Sequence, residues 1–197
     1  MSALKLRDGF YWTGIIDDKL RVFDIIMYTE FGTTYNSYVM KAEDKVILFE
    51  TAKAKFWDQY LENLKEVIDV TKIDYLVVSH TEPDHAGSVE RLLELSPQMK
   101  ILATGCAIGF LKEIVNRDFT AIAVKDNQTM EIGGKTLRFM VVPNLHWPDT
   151  MYTFIEEEQI LVTCDSFGAH YCLPEVVSGK ITAEKIRSGQ LFFSQTW

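Results

Sequence analysis

Cysteine, basic charge and long apolar runs are all scarce in this chain of 197 residues. The three cysteines, Cys106, Cys164 and Cys172, form no CxxC pair, which favours reduced thiols in the cytoplasm over a disulfide framework. With 20 Lys and Arg against 28 Asp and Glu, the net charge is −8, the wrong sign for neutralising nucleic-acid phosphates. No apolar run approaches the roughly 20 residues of a membrane-spanning helix, and the N-terminus lacks the apolar core of a signal peptide. We therefore expect a cytoplasmic protein that binds neither nucleic acid nor membrane.

The apolar pattern predicts one α/β domain over residues 1–197, because no repeat or linker-like stretch interrupts it. Helical spacing of apolar residues indicates three helices, at residues 54–70, 86–93 and 106–115. Short β-branched or alternating runs indicate strands at residues 10–15, 35–41, 46–50, 73–79, 100–104, 121–125, 136–142, 151–155 and 159–163. Residues 35–50 read as a hairpin. This order favours sheets packed face to face with helices outside.

The most informative segment places four potential metal ligands directly after a buried-type strand: His80, Glu82, Asp84 and His85. Pro83 disfavours helical backbone at the residue before it, so His80 and Glu82 should lie in an extended stretch and point the same way. Pro83 also suits the first position of a helix, which would carry Asp84 and His85 in its first turn. Two ligand pairs aimed at two nearby points predict half of a binuclear metal site, although such residues can also cluster by chance in a polar turn.

Two later residues would complete that site. His146 follows the strand that ends near residue 142, and Asp165 follows the strand at 159–163. Strand ends are where an α/β scaffold gathers side chains that are distant in sequence. Together Glu82, Asp84 and Asp165 would supply most of the negative charge that two divalent cations require, and one of the three could bridge them.

These motifs resemble the diiron domain of the flavodiiron proteins, which is a branch of the metallo-β-lactamase fold. The resemblance lies in HxExDH at residues 80–85, HWPD at 146–149 and DSFGAH at 165–170. It implies an αββα sandwich with two non-haem irons at one edge. His80, Glu82 and His146 would hold the first iron, Asp84 and His85 the second, and Asp165 would bridge them.

The resemblance also implies an activity and partners. Members of the family reduce O2 to water or NO to N2O, with electrons from FMN in a flavodoxin-like domain, usually that of the partner subunit. We therefore expect a homodimer and a flavodoxin-like or rubredoxin-type electron donor. Hydrolytic relatives carry HxHxDH, with histidine where this chain has Glu82. A carboxylate there makes the site harder and more anionic, which favours iron over zinc.

The chain departs from the family pattern at its C-terminal end. Its four histidines leave none in residues 171–197 for the downstream ligand that the family supplies to the second iron, and no flavodoxin-like region follows. We expect an α/β domain that is C-terminally incomplete, as a fragment of a longer protein. A partner chain that supplies the missing parts, or a natural short form, are the alternatives. In each case we expect the second metal to be held more weakly.

His170 is the candidate catalytic residue, either as a pocket residue beside the second metal or as a polar residue that merely closes its loop. For the whole chain, the leading hypothesis is an O2 or NO reductase domain. The alternatives are a diiron oxygen sensor without turnover, a zinc hydrolase that uses a metal-activated hydroxide, and a metal-free binding domain.

Overall fold

The computed structural model describes residues 2–172, which contain fifteen β-strands and four α-helices. The α-helices of this part of the chain are α1 (Trp57–Lys65), α2 (Pro83–Ala86), α3 (Val89–Leu95) and α4 (Gly105–Ile114). Its strands are β1 (Leu4–Arg7), β2 (Phe10–Trp12), β3 (Ile15–Asp17), β4 (Val22–Phe23), β5 (Met27–Tyr28), β6 (Thr33–Tyr35), β7 (Tyr38–Ala42), β8 (Lys45–Phe49), β9 (Tyr75–Val77), β10 (Lys100–Thr104), β11 (Thr120–Val124), β12 (Thr129–Ile132), β13 (Lys135–Val141), β14 (Met151–Ile155) and β15 (Ile160–Val162).

The chain divides into two units, and residues 1–15 with 36–166 form the larger one. Its main sheet has seven strands in the order β1-β2-β7-β8-β9-β10-β11. The first four of these pair antiparallel, whereas β8, β9, β10 and β11 run parallel. Parallel strands end at the same edge of a sheet. The segments that follow β8, β9 and β10 therefore emerge side by side.

A second sheet in the same unit has four antiparallel strands in the order β12-β13-β14-β15. It packs on the seven-stranded sheet through one apolar core, to which Phe49 and Leu102 contribute from the large sheet and Leu137, Phe139 and Ile155 from the small one. All five side chains are fully buried. This sheet-on-sheet layer is the arrangement expected from the order of the predicted elements.

The opposite face of the seven-stranded sheet is also buried. Side chains alternate along a strand, so Leu48, Leu76 and Ile101, which are fully buried, point away from the sheet-on-sheet core. Helices α1, α3 and α4 precede or connect strands of this sheet, and each buries an apolar face: Tyr60 and Leu64 in α1, for example. The described part of the unit is thus layered as helices, large sheet and small sheet.

The second unit contains residues 16–35 and, within the described part of the chain, residues 167–172. Strands β4 and β5 form a short antiparallel hairpin, and the backbone of Phe31 bridges that of Tyr171. The side chain of His170 belongs to this unit. Its Nδ1 lies 3.0 Å from Oγ1 of Thr33, and its ring packs on Phe23 at a centroid distance of 4.5 Å.

Most of the predicted elements are confirmed, and the differences have local causes. The predicted hairpin is present as β7 and β8. The helix predicted over 54–70 is wrong in extent, because α1 covers only Trp57–Lys65 between two 3-10 turns. The side chain of Asp69 accepts hydrogen bonds from Thr71 and caps the second turn. The strand predicted over 10–15 is wrong as one element, because β2 ends at Trp12 and β3 pairs in a separate sheet. The single domain over 1–197 stays a prediction, since residues 173–197 lie outside the described ones.

Candidate metal centre

The segment with the HxExDH motif leaves the sheet at the carboxyl end of β9. Glu82 has extended backbone angles (φ −57°, ψ 144°), and Pro83 occupies the first turn of α2, as the sequence predicts. His80 and Glu82 therefore precede the helix, while Asp84 and His85 sit within it. All four side chains are buried. Buried carboxylates and imidazoles in such a number require compensating partners.

The two later residues reach the same edge through the small sheet. Strands β13 and β15 both pair antiparallel with β14, so they run in the same direction and end together. His146 follows β13 and Asp165 follows β15. The backbone N–H of Met151, at the start of β14, donates to the carbonyl of Ser79 at 2.9 Å. That hydrogen bond joins the ligand-bearing ends of the two sheets.

The first group of converging side chains consists of His80, Glu82, His146 and Asp165. Nε2 of His146 lies 2.9 Å from Oε2 of Glu82 and 3.5 Å from Oδ2 of Asp165. Nε2 of His80 lies 3.4 Å from each of the same two oxygens. Two imidazole nitrogens and two carboxylate oxygens thus surround a single point.

A second group meets on the other side of Asp165. Nε2 of His85 lies 2.9 Å from Oδ1 of Asp165 and 3.6 Å from Oδ2 of Asp84. Asp165 therefore directs one carboxylate oxygen to each group. This is the geometry in which one carboxylate can bridge two cations, and the six residues singled out in the sequence are brought together.

The donor set fits a metal pair on its own chemistry. Within the described residues, both ring nitrogens of His80 and Oδ1 of Asp84 are buried without a hydrogen-bond partner. Leaving such groups unpaired costs about 1–3 kcal/mol each, more if charged. The ligand atoms of the first group all lie within 4.8 Å of one another, and a cation placed among them would satisfy both nitrogens and oxygens.

The charges of the cluster perturb its pKa values in a consistent way. Burial alone would lower the pKa of His146, but the carboxylates of Asp165 and Glu82 outweigh it and raise that pKa to about 9. The pKa of His80 is raised to about 12 in the same way, against burial and the neighbouring His85. Burial raises the pKa of the Asp84 carboxyl. Without a cation, the positive charge that balances the neighbouring carboxylates thus comes from protonated imidazoles.

Two residues beside the cluster are not among those the sequence motifs indicate. Oε2 of Glu50 lies 3.4 Å from Nδ1 of His85, and Sγ of Cys164 lies 3.7 Å from the same nitrogen. Cys164 also belongs to a possible ligand group with His80, His85 and Asp165. Glu50 directly follows β8 and Cys164 lies two residues after β15, so the strand-end rule that identifies His146 and Asp165 also marks these two residues as candidates.

His170 lies in the second unit, where its ring nitrogen is hydrogen-bonded to the hydroxyl of Thr33. It is not one of the residues in the two ligand groups found within residues 2–172. Its catalytic role stays a prediction.

A two-sheet sandwich with histidine and carboxylate ligands gathered at one edge defines a metal-binding protein of the metallo-β-lactamase fold. Comparison with known proteins gives the family. The model described as "ODP family beta lactamase" matches residues 33–195, and the chain belongs to that family. The predicted resemblance to flavodiiron proteins is confirmed by the similar proteins described next.

Flavo-diiron protein FprA2 of Clostridium acetobutylicum is 47% identical over 184 residues, which are 92% of this chain and 46% of the relative. Diflavin flavoprotein A 1 of Synechocystis is 46% identical over 166 residues, 82% of this chain and 29% of the relative. The solved rubredoxin oxygen:oxidoreductase of Desulfovibrio gigas superimposes with a TM-score of 0.93 at 32% identity and covers 98% of this chain and 48% of that one. The chain thus spans at most about half the length of these relatives. Among residues 2–172, no helix has the length and apolar character to cross a membrane.

Proposed function

We propose that the chain is the diiron domain of an oxidoreductase that binds O2 or NO and reduces it to water or N2O. The observation that carries the proposal is the position of Asp165, whose Oδ1 faces His85 while its Oδ2 faces His80 and His146. In this assignment His80, Glu82 and His146 would hold the first iron, Asp84 and His85 would hold the second, and Asp165 would bridge the two.

Iron is favoured over zinc by the carboxylates in the donor set. Glu82 contributes an oxygen within 2.9 Å of His146, at a position where hydrolytic relatives have an imidazole. Together with Asp84 and Asp165 it supplies three negative charges, and oxygen donors suit a metal that passes through a ferric state. When bound, a pair of irons would supply redox chemistry and neighbouring coordination positions for a diatomic molecule.

The side chains on one side of the cluster are more exposed to solvent than those on the other. His80, Glu82 and His85 are at most 5% exposed as side chains, whereas His146 is 29% and Asp165 37% exposed. Solvent therefore reaches the cluster on the side of His146 and Asp165. We place the entry of the diatomic substrate and of protons there, and the buried ligands exclude water from the opposite side.

Electrons would come from a separate flavin or rubredoxin-type donor. Support for this comes from the relatives' names, which include a diflavin flavoprotein and a rubredoxin oxygen:oxidoreductase. FMN would be bound by a flavodoxin-like domain outside these residues or by a partner subunit, and we propose a homodimer. A cytoplasmic location fits a chain with few cysteines and no CxxC pair among them.

The test is anaerobic loading with Fe²⁺, followed by metal analysis and turnover with a flavoprotein donor. We expect two binding events per chain, an absorption band in the ferric state that reductant bleaches, and consumption of O2 or NO. If the chain retained Zn²⁺ in preference to Fe²⁺ and hydrolysed esters, the result would indicate a hydrolase and overturn the proposed oxidoreductase. Gas binding without turnover would indicate a sensor, and failure to bind metal would overturn the assignment.

A further inference from the structure

Glu50 is a buried carboxylate that is not among the six metal ligands assigned above. It follows the last residue of β8, and its side chain is 1% exposed. Its Oε1 accepts a hydrogen bond of 2.8 Å from the backbone N–H of Ser79, which directly precedes the ligand segment. Its own carbonyl accepts a hydrogen bond of 3.0 Å from Oγ of Ser37. Both ends of the residue are therefore fixed at the edge where the metal ligands gather.

The second carboxylate oxygen of Glu50 faces His85. Its Oε2 lies 3.4 Å from Nδ1 of His85 and is buried without a hydrogen-bond partner within the described residues. The other ring nitrogen of His85, Nε2, lies 2.9 Å from Asp165. The two nitrogens of one imidazole thus face a metal-binding carboxylate on one side and a fixed, unpaired carboxylate on the other.

We infer that Glu50 is a positioning residue for the second metal: its Oε2 accepts a hydrogen bond from the Nδ1–H group of His85, and this directs Nε2 of His85 to the cation. This inference rests on the proposed function. A histidine ligand commonly donates its other N–H to a carboxylate, which fixes the tautomer and the ring orientation. An approach of about 0.5 Å brings the two atoms to the usual hydrogen-bond distance.

Cys164 is the competing acceptor, because its Sγ lies 3.7 Å from the same nitrogen. Glu50 is favoured on two grounds. A carboxylate accepts a stronger hydrogen bond than a thiol, and its unpaired oxygen is desolvated, so the bond to His85 removes a cost that would otherwise remain. The N–H of Ser79 also holds Glu50 in place.

The first experiment compares Glu50→Gln with Asp74→Asn in the 197-residue chain. Gln keeps the size of Glu50 and an oxygen for Ser79 but presents an amide to His85. Asp74 accepts the N–H of Val46 at the opposite end of the same strands, so its substitution is a matched control. In anaerobic Fe²⁺ titrations we expect Glu50→Gln to weaken the second binding event about 10–100-fold and leave the first within about threefold. Asp74→Asn should leave both unchanged.

The second experiment reads the tautomer directly, and its first measurement needs only the wild-type chain. In wild-type chain loaded with Zn²⁺ as a diamagnetic probe, ¹⁵N NMR should show His85 protonated at Nδ1, with its proton shifted downfield by a hydrogen bond. That proton resonance should move in Glu50→Gln and stay in Cys164→Ser.

The outcomes separate the inference from the function on which it rests. Two metals bound with wild-type affinity by Glu50→Gln, or a resonance that moves only in Cys164→Ser, would overturn the role of Glu50 and leave the diiron proposal intact. A wild-type chain with no second binding event would overturn both.

Discussion

Replacement of the carboxylate of Asp165 by an amide should remove the ligand that the two metal positions share. Asp165→Asn keeps the shape of the side chain, but the amide offers one oxygen where the carboxylate offers two. The carboxylate oxygens lie on opposite sides, 2.9 Å from His85 and 3.4 Å from His80. Asn can therefore ligate one cation but cannot bridge two, and we expect each chain to lose the more weakly held second iron while it retains the first.

The magnitude follows from ligand and charge counts. Glu82, Asp84 and Asp165 set three negative charges against the four positive charges of two ferrous ions, and the substitution leaves two negative charges. Loss of a group that merely supports a ligand costs about 10–100-fold in metal affinity. Loss of a ligand should cost at least about 100-fold for the weaker position, or about 2.8 kcal/mol. In the metal-free chain, the pKa of His146 should also fall from about 9 toward its ordinary value by about one unit or more.

The assay is an anaerobic Fe²⁺ titration with metal analysis after desalting, and an NMR titration of His146 without metal. Asp126→Asn is the control, because that exposed carboxylate accepts the N–H of Val141 beside the small sheet. Two irons held by Asp165→Asn with wild-type affinity would refute the bridging geometry. An unchanged pKa of His146 would refute the charge argument separately.

Three further predictions concern metal choice, protons and the backbone. Glu82→His, which replaces an oxygen 2.9 Å from His146, should shift competitive loading from Fe²⁺ toward Zn²⁺. Metal binding at pH 7 should release protons, because the raised pKa values of His146 (about 9) and His80 (about 12) keep both imidazoles protonated without metal. Calorimetry in buffers of different ionisation enthalpy measures the number of protons released. Affinity should rise with pH, more steeply below about 9, where both imidazoles must lose a proton, than above about 9, where His146 is already neutral and His80 still holds its proton. Gly87→Ala would place a Cβ 2.9 Å from the backbone nitrogen of Ala54, and should destabilise the fold by about 1–3 kcal/mol and weaken the second metal position first.

Each of these has a contrary outcome. An unchanged Fe²⁺ to Zn²⁺ ratio in Glu82→His would show that this residue does not select the metal. Heats of binding that do not depend on the buffer would contradict the protonated cluster. A Gly87→Ala variant with wild-type resistance to urea would mean that the neighbouring backbone yields without cost, and Gly109→Ala, where a Cβ meets no atom within 4 Å, is the comparison.

The ligand segment was predictable because its constraints are local. Pro83 determines both the extended conformation before it and the helix after it, so the order of residues 80–85 is enough to place them. Strands β10 and β14 have the predicted bounds, because each is a short apolar run between clear breaks. By contrast, the sequence pattern does not predict β1 and β12: each has only two apolar residues in four positions, and pairing with β2 and β13 makes them strands.

Partners that approach from distant parts of the chain were harder to infer. Glu50 reads in the sequence as the last residue of a hydrophobic strand, yet the structure turns its carboxylate toward His85. The apolar pattern also gives no sign that Cys164 faces the same nitrogen. A position after a strand marks both residues as candidates, but nothing within a few residues of either one indicates that it faces His85.

The sequence by itself determined the kind of ligands, their grouping into pairs around Pro83 and the strand ends from which His146 and Asp165 start. Only the tertiary structure decided that the two carboxylate oxygens of Asp165 face different histidines. The physical reason is that local rules govern the direction of a side chain relative to its own backbone. The distance between two strand ends depends on how the sheets pack, through a core whose contacts join residues far apart in the chain.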